Sequence, residues 1–245
     1  MLGQRILGVT KTSRPPSYWN SQRSTSKYLM IQSKHQTVRC ELFALTPLDG
    51  HAQTVAMTTK IELKAVVLSG GSSRRMGRDK ALLPHGAGST WLEHITSQLS
   101  SLDLPVLVLT IHPSHQHLLQ HKPGVNVQRD ANPGAGPLQA IAPLFPAHQR
   151  QALLIAPVDM PDLQADGLRQ LIASWKQEPH TAAVAHDGER LQPLLGIYPG
   201  GRTQRQSMLE TVAAGQNSWM TWLDQIPYRA IGLPPEQLRN CNHPL

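Results

Sequence analysis

"LKAVVLSGGSSRRMGRDKALL", residues 63–83, decides the fold. Residues 63–68 are mostly apolar and run into a glycine pair, the pattern of a short strand buried on both faces of a parallel sheet. Gly70 and Gly71 lack the Cβ atom that keeps a backbone away from a phosphate. Ser72 and Ser73 add hydroxyl donors, and successive loop N–H groups can form an anion-binding concavity. Arg75 and Lys80 bring positive charge to that concavity, with Gly77 allowing a tight turn between them, before the apolar run resumes at Ala81. The G-K-[ST] ending of a Walker A loop is missing, and so is the G-x-G-x-x-G dinucleotide fingerprint. The stretch predicts a triphosphate-binding loop of another kind.

Working outward, "PVLVLTI" (105–111), "GVNVQ" (124–128), "ALLIA" (152–156), "TAAVAH" (181–186) and "LQPLLGIY" (191–198) read as further strands. Between them, Leu92, Ile95, Leu99 and Leu102 recur at helical spacing behind a Ser89-Thr90 N-cap. Leu168, Leu171, Ile172 and Trp175 make a stripe wide enough to face a sheet. Strands alternating with helices predict an α/β protein, a three-layer α/β/α sandwich with a mainly parallel, Rossmann-like sheet. Ligands of such sheets bind outside the carboxyl ends of the strands.

The chain has 245 residues, 40% of them hydrophobic, enough for a core. Cys40 and Cys241 lie too far apart in sequence for a CxxC zinc pattern or a disulfide framework, which suits a reducing compartment. No apolar run approaches the roughly 18–20 residues that cross a bilayer, so a cytoplasmic protein without membrane contact is expected. The formal charge is +7, but residues 1–56 carry +5 of it and residues 57–245 only +2. A nucleic-acid surface would place its basic cluster on the folded domain, so no nucleic-acid partner is expected. Residues 1–56 are polar, turn-prone and without period. They are expected to be disordered or a translated extra upstream of Met57. Their composition also matches a transit peptide, although no clean amphipathic helix appears.

Two more stretches carry chemistry. "RDANPGAGPLQAI" (129–141) is a Gly/Pro loop opening a helix, and Gly136 and Pro137 mark a start with free N–H groups. Asp130, at a strand's end, is placed to accept hydrogen bonds from a base or ribose, or to form a turn. "LLIAPVDMPDL" (153–163) holds Asp159 rigidly between prolines at the sheet's edge, where one carboxylate can serve Mg²⁺, a cation that takes the rest of its ligands from phosphate and water. Asp162 is expected to cap the helix starting near Ala165. His112, His115, His117 and His121 are expected on a solvated face and not at a metal.

The chain resembles the molybdenum cofactor guanylyltransferases, within the wider three-layer nucleotidyltransferases. Their opening motif, L-A-G-G-x-S-x-R-M-G-x-D-K, is met by Leu68, Gly70, Gly71, Ser73, Arg75, Met76, Gly77, Asp79 and Lys80, with Ser69 in place of alanine. "NPGAGPLQAI", "PVDMP", "HDGERLQP" and "NCNHP" continue the resemblance in order over about residues 63–244. It implies that residues 57–245 are a nucleotidyltransferase domain using GTP and Mg²⁺. GMP would pass to the terminal phosphate of molybdopterin or the molybdenum cofactor, with release of pyrophosphate. The implied catalytic residues are Arg75, Lys80 and Asp159, the last also the metal ligand. The implied nucleotide-binding set adds Leu68, Ser69, Gly70, Gly71, Ser73, Gly77, Asp130, Gly136 and Pro137. Asn240 and Asn242 would serve the nucleotide and pterin side of the cleft. The family also carries an asparagine where this chain has Thr110-Ile111, so that contact is not carried over. A final helix after Asn242 is implied too, for which a chain ending at Leu245 has no residues. Molybdoenzymes or their chaperones would receive the product from a monomer or weak oligomer. Two alternatives stand beside this: a cytidylyl- or sugar-nucleotidyltransferase, which shares the Gly-rich loop, and a non-catalytic nucleotide- or cofactor-binding protein.

Overall fold

The computed structural model describes residues 26–33, 36–43, 61–70, 79–86 and 88–241, the first two segments as backbone only. The chain divides into two units, Met1–Met57 and Thr58–Leu245. In the first, Ser26–Ser33 and Gln36–Phe43 pair antiparallel, from Ser26 with Phe43 to Ser33 with Gln36. The aperiodic sequence did not announce this hairpin. The rest of the 1–56 stretch expected to be disordered or extraneous lies outside the described residues.

The second unit is built on a seven-stranded sheet. Its strands in chain order are β1 (Glu62–Ser69), β2 (Val106–Thr110), β3 (Val125–Arg129), β4 (Gln151–Pro157), β5 (Ala182–His186), β6 (Leu191–Pro199) and β7 (Tyr228–Gly232). Their order across the sheet is β7-β5-β6-β4-β1-β2-β3. β1 pairs parallel with β2 and β4, β2 with β3, and β5 with β7, while β6 runs antiparallel to both its neighbours. The sheet is therefore mainly parallel, as expected. β7 was not expected, because "YRAIG" is a half-exposed edge strand with too few apolar residues to signal itself.

Period-2 alternation sorts the strands' side chains onto two faces. Ala65, Val67, Val106, Val108, Leu154 and Ala156 join one buried cluster, and Val66, Leu107, Leu109, Leu153 and Ile155 the other. The first is covered by α1 (Trp91–Ser100) through Leu92, Ile95 and Leu99, and by α4 (Ala165–Gln177) through Leu168, Leu171 and Trp175. Between these in sequence lie α2 (Ser114–Leu119), which adds Leu119 to the same cluster, and α3 (Pro137–Ile141). The second face is covered by α3, α5 (Arg202–Ala213) and α6 (Trp219–Leu223), around Phe145, Tyr198, Trp219 and Trp222. Three layers result, as the sequence implied.

Local chemistry fixes where the helices begin. Thr90 caps α1 in a reciprocal box: its hydroxyl accepts from the Glu93 N–H (3.2 Å), and its own N–H donates to the Glu93 carboxylate (3.0 Å). The expected cap on α4 is corrected. Gln164 is the N-cap, and Asp162, two residues further upstream, accepts instead from Arg239 (2.9 Å). The first donors of α4 are met from afar, Ala165 N–H by Gln98 Oε1 (2.8 Å) and Gln164 N–H by Gln237 Oε1 (3.2 Å).

Candidate active site

The carboxyl ends of β1, β3 and β4 and the start of α3 surround a cavity of about 390 Å³. β1 delivers Leu68, Ser69 and Gly70 to it, the turn after the Gly-rich loop delivers Lys80, and β4 delivers Asp159. Asp130 after β3, with Gly136 and Pro137 opening α3, completes the set that the sequence singled out. Gly71, Ser73, Arg75, Gly77 and Asn242, also singled out, lie outside the described residues. Asn240 is not among the cavity's lining residues. It donates to Gln192 Oε1 (3.1 Å), and Gln192 in turn donates to Asp187 (2.9 Å). The adjoining Cys241 N–H donates to the Asp159 carbonyl (2.9 Å), so the C-terminal segment is tied to the rim of the cleft.

Gly70 matters by close approach. A Cβ there would stand 3.6 Å from Asp130 Oδ2, an ordinary contact for the protein but one that takes space from the cavity. Gly136 matters by conformation, since its φ of +96° is one that L side chains rarely adopt. Pro137 follows at the first helical position and offers no N–H, so the donors expected at residues 136–138 are fewer by one. Asp130 takes the turn role among those expected of it. Oδ1 accepts from the Asn132 N–H (2.9 Å), which shapes the turn, and Oδ2 stays beside Gly70.

Lys80 Nζ lies 3.9 Å from Asp159 Oδ2. Burial pushes the Asp159 carboxyl above the usual carboxylate range, and the Lys80 ammonium draws it back only in part. Among the described residues the charged groups lining the cavity are Asp79, Asp130, Asp159 and Lys80. A polyphosphate entering there needs added positive charge. Among those residues no three His, Cys, Asp or Glu side chains converge on one point. A desolvated carboxylate such as that of Asp159, lining the cavity, nevertheless fits Mg²⁺, which keeps several waters and is commonly held by one or two carboxylates together with substrate phosphates.

Sequence reasoning missed the surroundings of Asp79. His117 and His121 are exposed as expected, but His115 is fully buried and faces inward. Its Nε2–H donates to Asp79 Oδ2 at 2.7 Å, and its Nδ1 lies 2.7 Å from the Thr110 hydroxyl. The expectation of a solvated face is corrected there. His115 and Leu119, four residues apart on α2, form that short helix's buried face. A polar residue in the core position hid the period. Burial alone would raise the Asp79 carboxyl, but the His115 hydrogen bond, the charges of His115 and His112, and the Ala81 N–H together hold it below the usual range.

Residues 65–226 match the MobA-like NTP transferase domain, which places the chain among nucleotidyltransferases of that class. It is 34% identical over 188 residues to a probable molybdenum cofactor guanylyltransferase of Rhodopirellula baltica, across 74% of this chain and 88% of that one. The chain belongs to the molybdenum cofactor guanylyltransferase family. Among solved structures it is similar to molybdopterin-guanine dinucleotide biosynthesis protein A from Archaeoglobus fulgidus, with a TM-score of 0.56 and 20% identity over 74% of this chain and 93% of that one. It is as similar in shape to 4-diphosphocytidyl-2C-methyl-D-erythritolsynthase from Anaerococcus prevotii, with a TM-score of 0.59 and 8% identity over 76% and 94%. Backbone shape alone therefore does not choose the base.

Proposed function

We propose that the chain transfers GMP from GTP to the terminal phosphate of molybdopterin or the molybdenum cofactor, with Mg²⁺ as its metal. The observation that carries this is the meeting of Lys80, Asp159, Asp130 and Gly70 around one cavity at the carboxyl ends of the strands. Membership of the guanylyltransferase family selects the substrates. An oxygen of the pterin phosphate attacks the α-phosphorus in line, the bond from that phosphorus to the α,β-bridging oxygen breaks, and pyrophosphate leaves with the electron pair. The attacking phosphate is already ionised at neutral pH, so no strong general base is needed, and catalysis rests on positioning and electrostatics. Lys80, with Arg75 from the Gly-rich loop, neutralises triphosphate charge. Asp159 would hold Mg²⁺, which would supply positive charge against that of the phosphate oxygens. Gly70 leaves room for a base beside Asp130, whose Oδ2 can accept from guanine or ribose.

The product would go to molybdoenzymes or their chaperones. Pyrophosphate release, measured with each of the four NTPs with and without molybdopterin, tests the reading. Release only with GTP and molybdopterin together is the expected result. Equal or better release with CTP would move the chain to the cytidylyl branch, whose solved members share its fold. No release with any nucleotide would leave a binding protein.

A further inference from the structure

We propose that His115 is a positioning residue for Lys80. It grips Asp79 from the buried side, and Asp79 holds the turn that directs Lys80 toward Asp159 and the cavity. The proposal rests on the site described above and adds a residue that no motif contains.

Both oxygens of Asp79 are engaged. Oδ1 accepts from the Ala81 N–H (3.1 Å), capping the single 3-10 turn Lys80–Leu82 that carries the lysine. Oδ2 accepts from His115 Nε2 (2.7 Å). The imidazole is anchored in turn by β2, where the Thr110 hydroxyl meets Nδ1 at 2.7 Å, lies 3.2 Å from the Ser69 carbonyl and accepts from the His112 N–H at 3.0 Å. Ser69 Oγ, at the end of β1, stands 3.4 Å from the same Nδ1. Ser69 and Thr110, at the ends of two neighbouring strands, both bring a hydroxyl to the His115 Nδ1. A path of contacts thus runs from the ends of β2 and β1 through His115 and Asp79 to Lys80, whose Nζ reaches Asp159 at the end of β4.

The physical need is evident in Lys80 itself. A lysine has four rotatable side-chain bonds and a point charge, so its placement depends on the backbone that carries it. The backbone here follows directly on the Gly-rich loop. A carboxylate held at both oxygens over a buried, hydrogen-bonded imidazole gives that backbone a fixed anchor, and misplacing a catalytic group by 1 Å can cost about 10²-fold in rate.

The test compares turnover of wild type, His115→Ala, Lys80→Ala and the double variant, with thermal unfolding measured on each. His115→Ala is expected to lower kcat roughly 10- to 100-fold with KM for GTP changed less than about threefold, because the misplaced group acts on the transition state. In the Lys80→Ala background the same substitution should change kcat by less than about twofold, since its route of action is gone. His115→Gln, which keeps an N–H donor toward Asp79, should recover at least about a third of wild-type turnover. A His115→Ala loss of equal size in both backgrounds, or a folded Gln variant as poor as Ala, overturns the positioning role and leaves the site reading intact. Wild-type turnover in Lys80→Ala overturns the site reading and this proposal with it. If His115→Ala does not fold, Asp79→Asn takes its place in the same cycle, with the same two expectations and the same two failures.

Discussion

Asp79, in the turn before Lys80, and Asp159, at the end of β4, line the same cavity and yet have contrasting surroundings. Asp79 has a partner for each oxygen, Ala81 and His115, and its carboxyl is held below the usual range. Asp159 is desolvated, an ammonium 3.9 Å away and a backbone hydrogen bond offset this in part, and its carboxyl is pushed up. A carboxylate satisfied by the protein stabilises the fold. One kept short of partners costs the fold something and is available to a ligand. On the proposed function, the difference separates an aspartate that builds the site from one that would work in it.

Four outcomes would break or sharpen this contrast. The largest effect belongs to the working side: Asp159→Ala and Lys80→Ala should each lower turnover by on the order of 10²–10³ with the fold intact. Circular dichroism together with steady-state kinetics checks this, and near-normal turnover in folded variants would remove both from the machinery. Next comes the wall beside Asp130. Gly70→Ala should reduce kcat/KM for GTP by about 10-fold and for CTP by less, because a methyl there meets no atom of the described residues closer than 3.6 Å but takes space from a bicyclic base. An equal loss for both nucleotides would show that the methyl acts on the shared triphosphate.

The third outcome is one of stability and has opposite signs at the two aspartates. Because the folded-state pKa of Asp159 is raised, its ionised form opposes folding, and stability falls as pH rises from about 4 through that raised value. Asp159→Asn should therefore raise the unfolding temperature at pH 7, by about 2–4 °C if 1 kcal/mol is relieved, while lowering turnover as Asp159→Ala does. Asp79 behaves in reverse. Its lowered pKa contributes stability that is complete above about pH 4 and is lost as pH falls through the folded value. Asp79→Asn should lower the unfolding temperature at pH 7, and the gap from wild type should close in acid. Unfolding temperatures scanned from pH 3 to 7, about the range where carboxylates titrate, decide it. A shift of the same sign for both variants would erase the contrast.

The smallest effect concerns residues 1–56. The cavity-lining residues all belong to the Thr58–Leu245 unit, and the described hairpin pairs only with itself. A chain beginning at Met57 should keep its turnover and unfold within about 4 °C of the full chain, a shift worth roughly 1–2 kcal/mol at this size. A larger fall would mean that the first unit supports the site.

Much of this was legible because the signals are local. Buried strands such as "ALLIA" and helices of ten residues or more with a one-sided stripe, α1 and α4, declare themselves within a short window. The cavity followed from the topology, since strand ends in a parallel sheet gather at one edge, and Lys80, Asp130 and Asp159 had been marked on such ends. What stayed hidden depends on long-range contact or on short elements. α2, α3 and α6 are six residues or fewer, too short to show a period. α6 is held by aromatic packing, with Trp222 meeting Phe145 edge-on at 5.3 Å between ring centres. Asp162 looked like a cap until Arg239, 77 residues away, claimed it. The bond between Asp79 and His115 spans 36 residues and joins a motif position to one in no motif.

The pairing of β1 with β4 carries a consequence in time. It joins residues as far apart as Glu62 and Gln151, 89 positions along the chain, and closing so long a loop costs about 4 kcal/mol of chain entropy before any contact repays it. Lys80 leaves the ribosome well before Asp159. At roughly 5–20 residues per second the interval is on the order of ten seconds. During that interval β1, β2 and β3 can associate, but the nascent chain owns only half of a nucleotide site. On the proposed function, GTP would therefore not template the early stages of folding. It would act on a sheet whose longest closure is already complete, as a brake on unfolding and not as an aid to collapse.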